Sequence, residues 1–211
     1  MTNLRVIAVD GNVNAGKTTL LKQLCSVAAA AQPQYLPEHS NLLCQVTQIP
    51  EESDVRGQGR YLQTERIRLS LLRDSPAGLF LLDRSFVSIL AHTLATTPGH
   101  SDSRSWLVSR LSSLVGRAQV CIPHCFVFID VPYSISRARY LANTAEKGTP
   151  AELIDPGYFE CLRRIYLRWA TLVGGHALSS PEEFDLSSLR LQSYNPVFLA
   201  RTLQEISRDE I

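Results

Sequence analysis

The chain has 211 residues, of which 45% are apolar and 19% are charged, with a formal net charge of +1. This length and composition exclude a disordered protein and predict a single domain over residues 1–211. The near-zero charge, without a long run of one sign, argues against nucleic-acid and acidic-membrane partners. Residues 1–5 lack the long apolar core of a signal peptide, and the run 4–9 is too short to span a membrane. The five cysteines are an odd number. We therefore expect a cytoplasmic protein without a disulfide framework.

Short apolar runs alternate with stretches of helical periodicity along the chain. The apolar runs predict five strands, the last of them weakly signalled: 4–9, 34–37, 79–82, 125–129 and 184–186. Helical spacing and end signals predict helices over 17–31, 61–73, 86–94, 106–115, 134–141, 158–170 and 196–206. This alternation predicts an α/β fold with about five mainly parallel strands and helices on both faces.

Residues suited to binding or catalysis lie at the ends of four of the predicted strands. They are Gly11, Glu38, Asp83 with Arg84, and Asp130. In a parallel α/β sheet, ligands bind at the carboxyl ends of the strands. The sequence therefore predicts that these residues converge on one cleft.

The segment between the first strand and the first helix has the pattern G-N-V-N-A-G-K-T. Backbone N–H groups of such a loop can wrap a β-phosphate, while the lysine bridges the β- and γ-phosphates and the threonine hydroxyl binds magnesium. The pattern predicts a site for ATP and Mg²⁺, with Lys17 as a catalytic residue. The predicted contacts are Gly11, Asn12, Val13, Asn14, Ala15, Gly16, Lys17, Thr18 and Thr19.

A magnesium ion bound beside Thr18 usually has a carboxylate near it, and a strand-end aspartate is the usual source. Asp83 is the first candidate for this role. Asp130 is the alternative, and its competing interpretation is a cap for the helix that begins near residue 134. Thr18 and Asp83 are therefore the predicted metal ligands.

Two further strand-end residues are candidates for the chemistry of phosphoryl transfer. Arg84, directly after Asp83, could hold the transferring phosphoryl group or the acceptor oxygen rather than form a surface ion pair. Glu38 could accept a proton from an acceptor hydroxyl, although an exposed loop glutamate is an equally good interpretation of the sequence. We expect His39 to be a bystander.

The order and spacing of these motifs resemble the deoxynucleoside kinase and thymidylate kinase group of P-loop kinases over nearly the whole chain. The matching segments are the phosphate loop, Leu36-Pro37-Glu38, Tyr61-Leu62-Gln63-Thr64, Asp83-Arg84-Ser85, and residues 130–139 followed by 158–169. The resemblance implies a P-loop NTPase three-layer sandwich with a lid segment at about 139–155. It also implies roles for four side chains: Glu38 as general base for a sugar 5′-hydroxyl, Gln63 as a contact of the base edge, Arg84 as a ligand of the acceptor or phosphoryl group, and Arg139 as the arginine at the lid entrance.

The chain departs from the pattern of this group in two places. Its lid segment carries Lys147 where the group normally has arginines, and the helix over 61–73 has arginines at 66, 68 and 73. The first departure raises the question of how transition-state charge is met. The second leaves the identity of the acceptor open.

The leading functional hypothesis is a kinase that moves the γ-phosphate of ATP to the 5′-hydroxyl of a nucleoside or nucleoside-like small molecule. A nucleoside monophosphate kinase of thymidylate kinase type is the alternative, favoured by the arginines at 66, 68 and 73. A nucleotide-binding switch without turnover is the second alternative. The resemblance also makes a homodimer possible.

Overall fold

The computed structural model of the protein describes residues 4–27, 33–46, 58–75, 78–96, 101–144 and 155–209, and the structural statements below refer to these residues. Within them the chain forms one sheet of five strands: β1 (Arg5–Gly11), β2 (Gln34–Leu36), β3 (Leu79–Asp83), β4 (Cys125–Ile129) and β5 (His176–Leu178). The strand order is β2-β3-β1-β4-β5, and every neighbouring pair is parallel. The predicted α/β class and parallel sheet are confirmed.

Most of the described helices occupy the predicted positions, with ends that differ by a few residues, and the short helix His39–Leu42 lies where no separate helix was predicted. They are α1 (Lys17–Val27), α2 (His39–Leu42), α3 (Gln58–Arg73), α4 (Phe86–Thr96), α5 (Ser101–Gly116), α6 (Tyr133–Thr144), α7 (Pro156–Val173) and α8 (Pro196–Asp209). None of them is long and apolar enough to cross a membrane. The predicted lid falls mostly in the gap between 144 and 155, so that Lys147 lies outside the described residues.

The prediction of the last strand was wrong. Residues 184–186 are not a strand, and β5 lies earlier in the chain, paired with β4 through Phe128 and Ala177 among others. Phe184 and Leu186 are apolar because they pack against the core on one face of the sheet. His176–Leu178 is a three-residue edge strand, which is too short to show a period.

Two hydrophobic layers cover the two faces of the sheet. Alternate residues of β1 face opposite layers, because successive side chains of a strand point to opposite sides: Val6 and Ala8 belong to one layer, Ile7 and Val9 to the other. Helix α1 covers one face, while α3, α4, α5, α7 and α8 contribute to the core on the other. Double coverage is the reason why the central strands are apolar at nearly every position.

Helix α7 covers the predicted helix 158–170 and extends it by two or three residues at each end. The Asp155 carboxylate accepts a hydrogen bond of 2.8 Å from the backbone N–H of Tyr158, and Pro156 occupies the first turn. Gly174, in the left-handed conformation with φ of 66°, ends the helix. Six apolar or aromatic residues that recur at helical spacing along this sequence are buried: Tyr158, Phe159, Leu162, Ile165, Tyr166 and Trp169. Two members of this apolar stripe, Tyr158 and Tyr166, also reach the site described below.

Candidate functional site

The phosphate loop lies between the end of β1 and the start of α1. Its backbone takes positive φ angles at Gly11 (155°), Asn14 (57°) and Gly16 (95°). A Cβ atom at Gly11 would lie 2.8 Å from the carbonyl oxygen of Ile129 on the neighbouring strand, which is closer than a side chain tolerates. Glycine is therefore required where the loop leaves the sheet.

Lys17, the first residue of α1, is buried and donates a hydrogen bond of 2.7 Å from Nζ to the carbonyl oxygen of Asn12. Burial and the positive charge of Arg84 lower its pKa from 10.5 to about 7. Nearby carboxylates, including that of Asp83, do not fully offset these effects. The neighbouring carboxylates therefore do not fully balance the positive charge of Lys17 in the free protein. An anionic ligand at this position would balance it.

Asp83, at the end of β3, is fully buried beside the phosphate loop. Its Oδ2 atom accepts hydrogen bonds from the Thr18 hydroxyl and, at 3.1 Å, from the Tyr35 hydroxyl. Its Oδ1 atom is buried and has no hydrogen-bond partner among the described residues. An unpaired carboxylate oxygen next to a threonine hydroxyl fits a hard cation such as Mg²⁺.

Asp130, the alternative metal candidate, has a different environment. Its two carboxylate oxygens accept hydrogen bonds of 2.8 and 2.9 Å from Nε and Nη2 of Arg163 on α7. A bidentate arginine pair occupies both oxygens. Of the two strand-end aspartates, Asp83 is the one that the structure brings to Thr18.

Glu38 and Arg84 follow neighbouring strands and meet at the carboxyl edge of the sheet. Arg84 donates from Nε to Glu38 Oε2 at 3.1 Å and from Nη1 to the carbonyl oxygen of Gly11 at 3.1 Å. The Ser40 hydroxyl donates to the other carboxylate oxygen of Glu38. Although burial opposes ionisation, the charge of Arg84 and these hydrogen bonds lower the pKa of Glu38 to about 2. Glu38 is therefore a carboxylate at neutral pH.

The backbone of Arg84 adopts the left-handed region, with φ of 68°. This conformation costs a non-glycine residue about 1–3 kcal/mol and persists only where neighbouring contacts enforce it. The N–H of Arg84 donates to the carbonyl oxygen of Val9 at 3.0 Å, and the next N–H, that of Ser85, donates to Asp10 Oδ1 at 2.9 Å. Asp10 also accepts a bond of 2.7 Å from the Ser88 hydroxyl. The role of Asp10 was missed from the sequence, although an acid that ends an apolar strand just before the phosphate loop was a visible signal.

A cavity of about 810 Å³ opens over these groups. Toward the phosphate loop it is lined by Val13, Asn14, Gly16, Thr19, Leu20, Gln23, Arg139, Pro181 and Glu182. Lys17, Thr18, Glu38 and Arg84 line it as well. We call the remaining part, beyond Glu38, the acceptor end, which is lined by His39, Ser40, Tyr61, Ser88, Ile89, His92, Thr96 and Tyr158. The volume lies within the usual range for small-molecule sites, about 300–1,000 Å³.

The acceptor end is lined by ring-bearing and hydroxyl-bearing side chains and Ile89, and none of the described residues that line it is an acid, a lysine or an arginine. His92 Nδ1 and the Tyr158 hydroxyl form a hydrogen bond, and their ring centroids are 5.8 Å apart. Burial holds the pKa of His92 well below its ordinary value, so that the ring is neutral. Tyr61 adds a third ring. Such walls suit a flat, uncharged group.

Arg139, the predicted lid arginine, extends from α6 over the phosphate loop. It donates from Nη1 to the carbonyl oxygen of Asn14 at 3.3 Å and lines the cavity beside Pro181. Arg137, two residues earlier, is exposed. The structure therefore brings one guanidinium of α6 to the phosphate loop.

Gln63 is not among the described residues that line the cavity. Side chains two positions apart on a helix point about 200° apart, and Tyr61 is the residue of this pair that faces the cavity. The base contact of Gln63 therefore stays a prediction, without support from this geometry.

Three of the four arginines of α3, at positions 66, 68 and 73, have different environments. Arg66 and Arg73 are exposed and line a separate hollow of about 440 Å³ together with Arg117. Arg68 is fully buried and contacts His39. His39, expected to be a bystander, has a buried ring that lines the cavity and hydrogen-bonds the buried Glu65 at 2.6 Å. A lone histidine in a loop gave no sequence signal for this network.

No family model matches the sequence, and no curated protein matches it. Solved structures do match the fold. A deoxyadenosine kinase from M. mycoides with bound dATP has a TM-score of 0.58 at 14% identity, over 95% of this chain and 99% of that one. A second structure of a deoxyadenosine kinase from M. mycoides, with products, has a TM-score of 0.55 at 12% identity, over 97% of each chain.

A thymidylate kinase from Candida albicans is similar to the same degree. Its TM-score is 0.55 at 12% identity, over 98% of this chain and 92% of that one. The similarity to all three structures spans nearly the whole chain. The protein therefore has the fold of the deoxynucleoside kinase and thymidylate kinase group of P-loop kinases.

Proposed function

We propose that the protein is a phosphotransferase that moves the γ-phosphate of ATP, in the presence of Mg²⁺, to the 5′-hydroxyl of a nucleoside or nucleoside-like small molecule. The observation that carries this proposal is the pairing of Glu38 with Arg84 in a cavity that also contains Lys17. A carboxylate, a guanidinium and a phosphate loop at one strand edge supply a proton acceptor, a charge-stabilising group and a phosphate-binding site.

Each of these side chains has a distinct part in the proposed reaction. Lys17 and the loop amides bind the phosphates of ATP, and Arg139 adds positive charge above the loop. Glu38 accepts the proton of the acceptor hydroxyl as its oxygen attacks the γ-phosphorus, and Arg84 stabilises the charge that develops there. Thr18 and Asp83 would hold Mg²⁺, which supplies further neutralisation of phosphate charge.

The charges at the acceptor end favour a hydroxyl over a phosphate as acceptor. A nucleoside monophosphate brings a dianion, which needs cationic partners. Among the described residues that line the cavity, the cation nearest to Glu38 is Arg84, and it is already paired with Glu38. Arg66 and Arg73, which suggested a phosphate acceptor from the sequence, lie at the separate hollow. The Glu38 carboxylate would also repel a second phosphate.

The similarity to a thymidylate kinase fold keeps the nucleoside monophosphate kinase as the second candidate. An ATP-consumption assay across nucleosides, deoxynucleosides, their monophosphates and unrelated alcohols separates the candidates. We expect turnover with a nucleoside or deoxynucleoside. Turnover with monophosphates alone would support the second candidate, and tight ATP binding without transfer to any acceptor would indicate the nucleotide-binding switch.

ATP affinity is expected to fall as the pH rises above about 7. Lys17 has a pKa of about 7 in the free protein, and a bound triphosphate stabilises its charged form and raises that pKa. Binding therefore takes up a proton above pH 7, and the affinity falls by up to about tenfold per pH unit. Isothermal titration calorimetry between about pH 6 and 9 measures this slope, and the Lys17→Met variant removes the part that belongs to Lys17. Equal slopes in both proteins would contradict the assignment.

Replacing Asp83 with asparagine is expected to weaken the dependence of ATP binding on Mg²⁺. The change leaves the Thr18 contact possible but removes the charge of the unpaired oxygen, so that Mg²⁺ should enhance nucleotide affinity about tenfold less than in the wild type. Binding of ATP with and without Mg²⁺ gives the comparison. The Asp130→Asn variant is the matched control, because the carboxylate that it alters is paired with Arg163, and it should retain the full magnesium effect.

A further inference from the structure

Arg68 on α3 is a fully buried arginine that lies behind the cavity rather than in its lining. Its guanidinium donates hydrogen bonds to three backbone carbonyls that belong to two different strand ends. Nη2 donates to the carbonyl oxygens of Pro37 and, at 2.7 Å, of Asp83. Nη1 donates to the carbonyl oxygen of Arg84 at 2.8 Å. One side chain therefore ties together the ends of β2 and β3.

These carbonyls belong to the peptide groups that carry the two reactive side chains. The Pro37 carbonyl is in the peptide bond to Glu38, and the Asp83 and Arg84 carbonyls are on either side of the Arg84 Cα atom. Arg84 needs such restraint, because its backbone has a φ of 68°. Asp10 restrains the following N–H, that of Ser85, at 2.9 Å, while Arg68 holds the carbonyl of the same peptide group.

The charge of Arg68 is balanced by a buried acid. Glu65 Oε1 lies 3.2 Å from Arg68 Nη1 and 2.6 Å from His39 Nε2, and Glu65 Oε2 accepts a bond of 3.2 Å from the backbone N–H of Cys121. His39 directly follows Glu38 and lines the acceptor end. Arg68, Glu65 and His39 therefore form one network, which connects the carbonyl groups at the ends of β2 and β3 to the wall of the cavity.

We propose that Arg68 is a positioning residue for phosphoryl transfer, which fixes the backbones of Glu38 and Arg84 so that the carboxylate and the guanidinium meet at their observed separation of 3.1 Å. This inference rests on the proposed function. A planar guanidinium can direct several N–H groups at three carbonyls at once, whereas a lysine ammonium is a single point of charge that cannot span them in the same geometry.

The Arg68→Lys variant tests this role through a split between turnover and binding. We expect kcat to fall by about 100-fold, because small displacements of reacting groups have effects of this size. The KM for ATP and the affinity for ATP should stay within about threefold of the wild type, because the phosphate loop is untouched. The Arg66→Lys variant is the matched control: it is on the same helix, exposed at the separate hollow, and should behave as the wild type.

A double-mutant cycle distinguishes positioning from a general structural role. Because Arg68 is proposed to hold Glu38 and Arg84 together, the Arg68→Lys change should lower kcat by about tenfold or less once Glu38 is already glutamine, instead of by about 100-fold. Additive losses in the double variant would overturn the proposal. So would a parallel loss of ATP affinity and turnover in Arg68→Lys.

Hydrogen exchange tests the same inference without any turnover. In Arg68→Lys, amides 38–40 and 84–86 should exchange faster than in the wild type, while α1 and the phosphate loop keep their rates. If Arg68→Lys does not fold, Glu65→Gln provides the second variant and should show the same local pattern more weakly. Unchanged exchange at both strand ends, or faster exchange throughout the sheet, would overturn the proposal. If the wild type phosphorylates no acceptor, the proposed function fails and this measurement still decides the role of Arg68.

Discussion

Replacing Glu38 with glutamine is expected to lower kcat for a hydroxyl acceptor by about 10²- to 10⁴-fold, the usual contribution of a positioned general base. Glutamine keeps the size of the side chain and can still accept a hydrogen bond from Arg84, but it cannot take a proton. Because Glu38 lies beyond the phosphate loop, the affinity for ATP should change little. Steady-state kinetics on the acceptor identified by the assay, combined with ATP titration, measure both quantities.

The pH dependence of this reaction has a predictable shape. The pKa of Glu38 is about 2 in the free protein, so its carboxylate remains ionised at neutral and mildly acidic pH. A carboxyl group with a lowered pKa loses its charged form only as the pH falls through that value. The rate should therefore show no loss from protonation of Glu38 between about pH 5 and 8.

Two outcomes would contradict the assignment of Glu38. Full activity of Glu38→Gln on a hydroxyl acceptor would exclude a general base at this position. Activity that survives only with a nucleoside monophosphate would shift the function to the second candidate, since an ionised phosphate needs no base. The Glu205→Gln variant is the control for the substitution itself, because Glu205 is exposed on α8 and pairs with Arg168.

Replacing Lys17 with alanine is expected to lower kcat by at least about 100-fold and to weaken ATP binding, because it removes a cation aimed at the transferring phosphate. The exposed Lys22 of the same helix provides the control, and Lys22→Ala should keep the wild-type rate. Full activity of Lys17→Ala in the same assay would mean that the proposed mechanism is wrong.

The same substitution should not destabilise the protein in the absence of nucleotide. The pKa of Lys17 is lowered by burial from 10.5 to about 7, so that in this interval the unfolded chain binds more protons than the folded one. Stability then rises with pH across the interval, and the charged form of Lys17 opposes folding below it. Urea unfolding at about pH 8 and pH 10 should show a smaller pH effect for Lys17→Ala than for the wild type.

The sequence predicted the elements that are determined by residues close together in the chain. The apolar runs and the G-N-V-N-A-G-K-T pattern placed the central strands, the phosphate loop and α1, because backbone propensity and periodicity act over a few residues. The cap and apolar stripe of α7 were predictable for the same reason. The weak fifth strand was placed wrongly, because Phe184 and Leu186 are apolar for packing rather than for strand formation.

The sequence by itself therefore determined the fold class and the presence of a phosphate loop followed by Lys17 and Thr18. Only the tertiary structure decided which strand-end acid meets Thr18, that His39 is buried, that Tyr61 rather than Gln63 faces the cavity, and that Arg68 joins the ends of β2 and β3. The physical reason is that these facts concern contacts between residues far apart in the chain. Such contacts depend on strand order and helix rotation, which leave no periodic signal in the sequence around any one of the residues.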